Sequence, residues 1–211
     1  MKKTSKALLL ALCAVLLVAA SVMGTMAYLT STTGTVTNTF SVGKIAITLD
    51  EANVNADGTP VQDADRVMGN TYHLLPGHSY TKDPTVHVEA NSEDSYIFVK
   101  VEGSIAAYEA ATVTGGYTSI ADQITANGWT ALTDVEGVYY KEYTSATAQT
   151  DLTVFSSFKI ADNAQSVDGW STISTTATQL KVTAYAVQKD GFTDAKAAWD
   201  AAGFGNTTAN P

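Results

Sequence analysis

The three histidines are the first residues in this sequence whose chemistry could hold a metal ion. His73 and His78 flank a Leu-Pro-Gly turn, and His87 follows nine residues later. Asp83 and Glu89 would be the nearest carboxylate ligands. Zinc proteases place two histidines one helical turn apart with a glutamate between them, and this sequence has no His-Glu-x-x-His pattern. We therefore interpret the histidines as partly exposed strand and loop residues, with a small metal cluster as the alternative.

Two stretches rich in side-chain oxygens raise the question of a cation site. Residues 53–58 read Asn-Val-Asn-Ala-Asp-Gly, like the start of a calcium-binding EF-hand loop. The last position of such a loop requires a bidentate glutamate, but here it is Ala64, and Pro60 interrupts the loop. Residues 91–95, Asn-Ser-Glu-Asp-Ser, are typical of a solvated turn before a buried strand. We predict a polar hairpin turn at 53–58 and neither a bound metal nor any other cofactor.

Signatures of covalent and nucleotide chemistry are absent from the sequence. It contains no Gly-x-Ser-x-Gly elbow, no phosphate-binding glycine loop and no dinucleotide fingerprint. The one cysteine, Cys13, lies in the apolar run near the N-terminus, so the rest of the chain has no thiol for catalysis, zinc or a disulfide. We predict that the protein is not an enzyme. Trp129, Trp170 and Trp199 are interpreted as hydrophobic lids, with a sugar-binding platform as the alternative.

The N-terminus has the composition of an export signal. Three lysines within the first six residues precede an uninterrupted apolar run over residues 7–20, which is the order of regions in a signal peptide. Thr25 and Ala27 provide the narrow side chains that a signal peptidase needs. We therefore predict a signal peptide over residues 1–27, with cleavage between Ala27 and Tyr28.

Alternatives to that cleavage, and its consequence for charge, also follow from composition. Cleavage after Ala20 or Gly24 is one alternative, and an uncleaved anchor is another, because residues 7–27 are just long enough to span a bilayer. Removing residues 1–27 leaves nine basic and 21 acidic residues, a net charge of −12. An acidic chain without a basic patch excludes nucleic acid as a partner. We expect a secreted or cell-surface protein that touches a membrane only through the uncleaved signal.

The remaining chain is typical of a β protein. Threonine, serine, valine, alanine and tyrosine dominate it, and alternating apolar patterns recur. We predict a mainly β, antiparallel sandwich domain over residues 40–205 with two short peripheral helices, followed by a frayed C-terminus over 206–211. The predicted strands cover residues 45–49, 85–89, 96–102, 138–143, 152–160 and 179–188. The predicted helices cover residues 119–127 and 194–202, the second capped by Thr193.

Two strand patterns carry more detail. In residues 96–102, Ile97 and Val99 belong to one face while Tyr96 and Phe98 load the other, which indicates a central strand buried on both sides. In residues 40–49 the apolar side chains occupy even positions before Gly43 and odd positions after it. This change of phase predicts a β-bulge at Gly43.

Residues 28–39 connect the predicted signal to the first strand and carry no charge. Leu29 and Val36 are their only aliphatic residues, and six β-branched threonines favour an extended chain. One interpretation is a disordered start or a first edge strand. The other is a donor strand that pairs with the sheet of a neighbouring subunit and is anchored by Leu29, Val36 and Phe40.

Several of these motifs together resemble a known family. Gly-Thr-Met-Ala-Tyr-Leu-Thr at 24–30, Asn-Thr-Phe-Ser-Val-Gly at 38–43, Tyr-His-Leu-Leu-Pro-Gly at 72–77 and Lys-Asp-Pro-Thr-Val-His-Val at 82–88 resemble the TasA and camelysin family. The likeness is to its uncharacterised clostridial branch, and residues 103–178 depart from TasA. The resemblance implies a Gram-positive source, processing by a SipW-type signal peptidase and a jelly-roll-like sandwich. It also implies biofilm matrix fibres, in which related minor subunits would be further partners.

The function expected from this sequence is therefore structural. We predict an exported protein that associates with itself into extracellular fibres by N-terminal strand donation. Because head-to-tail donation does not close on itself, it produces a filament and not a dimer. The alternatives are a monomeric surface adhesin or ligand-binding sandwich, and a camelysin-like metalloprotease, for which the sequence offers no zinc motif.

Overall fold

The computed structural model describes residues 6–8, 10–18, 43–170, 173 and 180–204. The chain divides into two units, residues 1–41 and 42–211. In the first unit, residues 6–8 and 10–18 are helical. None of the helices in the described part of the chain has the length and apolar character needed to cross a membrane.

The second unit is mainly β, and its strands form three antiparallel sheets. A three-stranded sheet has the order β1-β3-β7, a four-stranded sheet has the order β5-β6-β4-β9, and β2 pairs with β8. The strands are β1 (Ile47–Asp50), β2 (Ser79–Thr81), β3 (Thr85–Val88), β4 (Ser95–Gly103), β5 (Thr130–Ala131), β6 (Val138–Tyr143), β7 (Thr150–Thr153), β8 (Ser157–Lys159) and β9 (Leu180–Gln188). The mainly β, antiparallel class predicted from composition is confirmed.

The inner faces of the two larger sheets share one hydrophobic core. Val86 and Val88 of β3 are fully buried in the same cluster as Ile97 and Val99 of β4. Alternation with period two sends these residues to one side of each strand, so the two sheets face each other as in a sandwich. The central position predicted for residues 96–102 is confirmed, because β4 lies between β6 and β9.

The outer face of the four-stranded sheet is covered by a helix. α1 (Ile120–Ala126) packs into the main core, whereas α2 (Ala195–Ala202) places Ala198 and Trp199 in a second cluster with Tyr96 and Phe98 of β4. Both predicted helices are therefore present, and both are short.

The helix ends correct one prediction. The side chain of Ser119 accepts a hydrogen bond from Asp122 N and caps α1. At α2, however, the cap is Asp194, whose carboxylate accepts from Ala197 N at 2.8 Å, and not Thr193. An aspartate one residue nearer the helix places its carboxylate at the free N–H groups of the first turn. Gly203 ends α2 in the left-handed conformation, as its position predicts.

The single strand predicted over residues 152–160 is wrong. Residues 152–160 form parts of two strands, because β7 ends at Thr153 and β8 begins at Ser157 in a different sheet. Val154 and Phe155 are both fully buried, and both belong to the main core cluster. Two consecutive inward side chains cannot belong to one regular strand, so the chain turns there. Two short strands were not predicted, β2 and β5, and neither were the 3-10 helices Ser104–Tyr108 and Ala164–Ser166.

Candidate functional site

Most of the sequence-predicted site residues lie outside the described residues. These are Thr25, Ala27 and Tyr28 of the cleavage site and Leu29, Val36 and Phe40 of the assembly strand. Gly43 is described and lies four residues before β1, in irregular backbone. A Cβ at Gly43 would lie 3.0 Å from Cγ of Glu93. The predicted bulge also involves residues 40–42, which lie outside the described part, so it stays a prediction.

Among the described residues, the candidate surface for accepting a donated strand is the side of β9 that faces away from β4. This nine-residue strand pairs with β4 along its whole length, from Ser95↔Gln188 to Gly103↔Leu180. No other strand of the described residues pairs with β9. β1, the edge strand of the three-stranded sheet, lies beside β9 without being its ladder partner. Two sheet edges therefore meet on one side of the core.

The register fixes which backbone groups of β9 point outward. Lys189 N donates to Asp94 O at 2.9 Å, and this pair continues the β4–β9 register. In an antiparallel ladder, alternate residues bond to the same neighbour. The odd-numbered residues of β9 therefore face β4. The outward N–H and C=O groups belong to Leu180, Val182, Ala184, Ala186 and Gln188.

Most side chains of β9 are apolar, on both faces, and they are incompletely covered. Val182, Ala184 and Ala186 pack against the main core, and Tyr185 and Val187 pack against the α2 cluster, yet all are only partly buried. Edge strands are normally short, or blocked by proline or inward-pointing charges. β9 is nine residues long and contains no proline, and its one charged residue, Lys181, is exposed near the start of the strand. An added strand would bury more of these side chains.

The opposite edge of the same sheet is formed by β5 and is much shorter than β9. β5 has only two residues, Thr130 and Ala131, and both are exposed. Leu132 N donates to Val138 O, which continues the β5–β6 register, so Ala131 directs its N–H away from β6. So short an edge offers little ladder to a neighbouring chain.

The structure separates the three histidines. His73 and His78 are exposed loop residues, and His87 is in β3, as the sequence predicts. His87 Nδ1 lies 2.7 Å from Asp151 Oδ1, and His87 Nε2 lies 2.9 Å from Asp50 Oδ1. The three residues align across β1, β3 and β7 on the outer face of the three-stranded sheet.

The electrostatics of this cluster favour a charged imidazole. Partial burial acts to lower the pKa of His87, but hydrogen bonds and charges from Asp151 and Asp50 outweigh it and raise that pKa above its ordinary value. Hydrogen bonds from His87 and Gln149 lower the pKa of Asp151. Arg66, in the loop that follows β1, forms ion pairs with both Asp50 and Asp83, so this loop is connected to the cluster. The arrangement is that of an ion-pair network.

In the described residues, the fold assembles neither the alternative histidine cluster nor the alternative calcium loop at residues 53–58 into a metal-binding arrangement. Within the described residues, no group of three or more His, Cys, Asp and Glu side chains is arranged to hold a metal ion. Of the two carboxylates near the histidines, Asp83 pairs with Arg66 and Glu89 pairs with Lys44. Residues 53–58 form the predicted polar turn, in which Asn55 N donates to Thr59 O at 2.9 Å.

The tryptophans lie mainly in the interior. Trp129 and Trp199 are each 2% exposed, and Trp129 Nε1 donates to Thr153 O at 2.9 Å. Trp170 is partly buried and packs edge-on against Tyr108 at 5.7 Å between ring centroids. Trp129 and Trp199 are therefore core residues, as the sequence analysis favoured, and neither offers a sugar platform.

Sequence reasoning missed a buried polar network around Glu51. Glu51 and Lys82 are only 4% and 8% exposed. Asn70 donates a hydrogen bond from Nδ2 to Glu51 Oε1. The three residues belong to different segments, which the bridge between Glu51 and Val67 brings together. The only sequence signal was a lysine, Lys82, directly after strand β2.

Comparison with known proteins identified no relative of this chain. No family model, no curated protein and no solved structure matches the chain. The likeness to the TasA and camelysin family therefore depends on the sequence motifs alone.

Proposed function

We propose that this protein is an exported, non-enzymatic structural subunit that assembles into extracellular matrix fibres, as the resemblance to the TasA and camelysin family implies. Residues 28–39 would leave their own subunit after signal cleavage and pair with β9 of the next. The observation that carries the proposal is the long, mostly apolar edge of β9, which has no second ladder partner among the described strands. A jelly-roll-like connectivity, a SipW-type peptidase and related minor subunits as partners belong to the same proposal.

Donor and acceptor are matched in length and chemistry. The donor is 12 residues long and uncharged, and the acceptor strand has nine residues. Strand addition takes its affinity from backbone hydrogen bonds and its register from alternate side chains. An uncharged donor also avoids the repulsion that would oppose contact between subunits of net charge −12.

The energies are large enough for assembly if the register is good. The five outward residues of β9 offer at most about ten hydrogen bonds, each contributing about 0.5–1.5 kcal/mol net. Burial of Val36 and Phe40 adds about 1.5–3 kcal/mol each. Association costs about 4–15 kcal/mol. The balance favours a filament only when the apolar donor residues find pockets beside β9.

The test is electron microscopy and sedimentation of chains that start at Tyr28. Ala186→Pro replaces an outward N–H of β9 with a ring that blocks an incoming strand. We expect fibres from the parent chain and none from Ala186→Pro or from a chain lacking residues 28–39. Val36→Asp should weaken assembly by burying an unpaired charge, and moderate salt should promote it by screening acidic repulsion.

Ala131→Pro is the matched control. It makes the same substitution at the opposite edge of the same sheet, where the N–H also faces outward, and it should leave fibres intact. A parent chain that stays monomeric at high concentration across salt and pH would exclude strand donation and favour the adhesin alternative. Fibres from the chain lacking residues 28–39 would exclude this donor.

A further inference from the structure

The buried network around Glu51 brings together the groups needed to form a covalent cross-link. The carboxylate of Glu51 pairs with the ammonium of Lys82 through Oε2, and its Oε1 accepts a hydrogen bond from Asn70 Nδ2 at 2.8 Å. One carboxylate therefore contacts both a primary amine and a primary carboxamide. The side chains of Glu51 and Lys82 are only 5% and 10% exposed.

The orientation of the Asn70 carboxamide is fixed by its partners. Its Nδ2 also donates to Ala52 O at 2.8 Å, and its Oδ1 accepts from Val54 N at 2.9 Å. The reverse orientation would set the carboxamide oxygen against two acceptors and the amide nitrogen against a donor. The carbonyl carbon is thus held with its oxygen on a backbone N–H and its nitrogen on the Glu51 carboxylate.

Aromatic side chains border the network. The ring of Tyr72 packs edge-on against Tyr80 and Phe158, at 5.8 and 5.3 Å between centroids, and its hydroxyl donates to Thr81 O. Burial, together with the nearby charges of Glu51 and Asp83, raises the pKa of Tyr72. Exclusion of water favours attack by an amine on a carboxamide, because it strengthens the local electrostatics and removes competing hydrolysis.

We propose that Lys82 and Asn70 form an intramolecular isopeptide bond, with Glu51 as the proton-transfer residue. Glu51 takes a proton from the Lys82 ammonium, and the neutral amine attacks Cγ of Asn70. Val54 N–H stabilises the negative charge that develops on Oδ1. Glu51 returns its proton to Nδ2, and the C–N bond to Nδ2 breaks so that ammonia leaves. The second proton of the attacking nitrogen then passes through Glu51 to that ammonia, which departs as an ammonium ion.

The reaction balances without any further reactant. The ammonium and the carboxamide are converted to a secondary amide and one ammonium ion, and Glu51 ends as the carboxylate with which it began. No oxidant, reductant or nucleotide is required. The bond would close a loop between residues 70 and 82, in a domain whose residues 43–204 contain no cysteine for a disulfide.

The test is mass spectrometry of the purified full chain after denaturation. We expect a mass lower than the sequence mass by one ammonia, about 17 Da, since the carboxamide nitrogen is the leaving group. Trypsin should fail to cut after Lys82. A protease that cuts after aromatic residues cleaves at Tyr72 and Tyr80, so fragmentation should show a branched peptide joining Asn70 to Lys82.

Three variants separate the roles. Lys82→Arg and Asn70→Ala should each abolish the mass loss, and Glu51→Gln should abolish or greatly slow it while both reacting residues remain. Lys189→Arg, at the exposed ion pair with Glu142, is the matched control and should keep the cross-link. Circular dichroism establishes that each variant is folded.

The outcomes are decisive in both directions. A folded parent chain with the full sequence mass and normal cleavage after Lys82 would overturn the proposal. Loss of water with Lys82 joined to Glu51, or an undiminished cross-link in folded Glu51→Gln, would overturn the assigned partner or the role of Glu51. The result is independent of fibre formation, because a monomer can carry the bond.

Discussion

The two larger sheets protect their outer faces in opposite ways. The four-stranded sheet lies under α2, and Trp199 packs on Phe98 and Tyr185 at 5.1 and 5.4 Å between ring centroids. The three-stranded sheet carries a polar row instead, in which His87 lies between Asp50 and Asp151. Apolar burial stabilises without regard to pH, whereas an ion-pair network depends on protonation. The two faces should therefore respond differently to mutation and to pH.

The largest effect should come from removing the aromatic anchor of α2. Trp199→Ala deletes a side chain that is 2% exposed, and large-to-small core changes of this kind cost about 3–5 kcal/mol. Urea unfolding followed by circular dichroism measures the change. Trp170→Ala, at a partly buried tryptophan, should cost clearly less. Equal losses at both positions would mean that α2 has no special part in stabilising the sheet.

Breaking the polar face should have a smaller effect. His87→Gln removes the imidazole nitrogens that hydrogen-bond to Asp50 and Asp151. We expect the free energy of unfolding to fall by about 1–2 kcal/mol near pH 6, as for charged hydrogen bonds weakened by partial exposure. The same urea titration measures it. An unchanged or greater stability would show that the carboxylates are equally well solvated without the imidazole.

The pH dependence distinguishes the faces most directly. Because the pKa of His87 is raised in the folded state, its stabilising contribution is complete below about pH 6.5, the ordinary histidine value, and is lost as the pH rises through the folded pKa. The lowered pKa values of Asp50 and Asp151 act in the other direction, and their contribution is lost only in acid.

Unfolding free energies at about pH 6 and pH 9 measure this contribution. The parent protein should lose stability between the two, and His87→Gln should remove most of that loss. Trp199→Ala should keep it, since its missing contacts carry no titrating group. A parent and a His87→Gln variant with the same pH slope would refute the assignment of the effect to this network.

Alternation along the chain was enough to predict the longer strands. Tyr96, Ile97, Phe98 and Val99 alternate between the two clusters, and the sequence shows this directly. The two-residue and three-residue strands have too few positions for any period to be visible. The predicted strand over residues 152–160 failed although Leu152, Val154, Phe158 and Ile160 keep one phase. Only Phe155 departs from that phase, and adjacent apolar residues are equally compatible with a central strand.

The candidate sites were less predictable because they depend on tertiary contacts. Strand β9 was predicted, but its place at the edge of a sheet is a property of topology. Glu51, Asn70 and Lys82 have no characteristic spacing, and only the folded loop after β1 brings them together. His87 was recognised as chemically capable, yet its partners come from two other strands. Spacing reveals sites within one element more readily than sites across a sheet.

The smallest effect should come from the solvent side of α2, where Lys196 pairs with Asp200 at 2.6 Å. Lysine four residues before an acid is the weaker order for a helix, and the two side chains are 35% and 58% exposed. Lys196→Met should therefore cost about 0.3 kcal/mol or less. A double-mutant cycle with Asp200→Ala isolates the pair from the lysine's own packing. A coupling above about 1 kcal/mol would mean that charge on the surface of α2, and not only its buried tryptophan, holds the helix on the sheet.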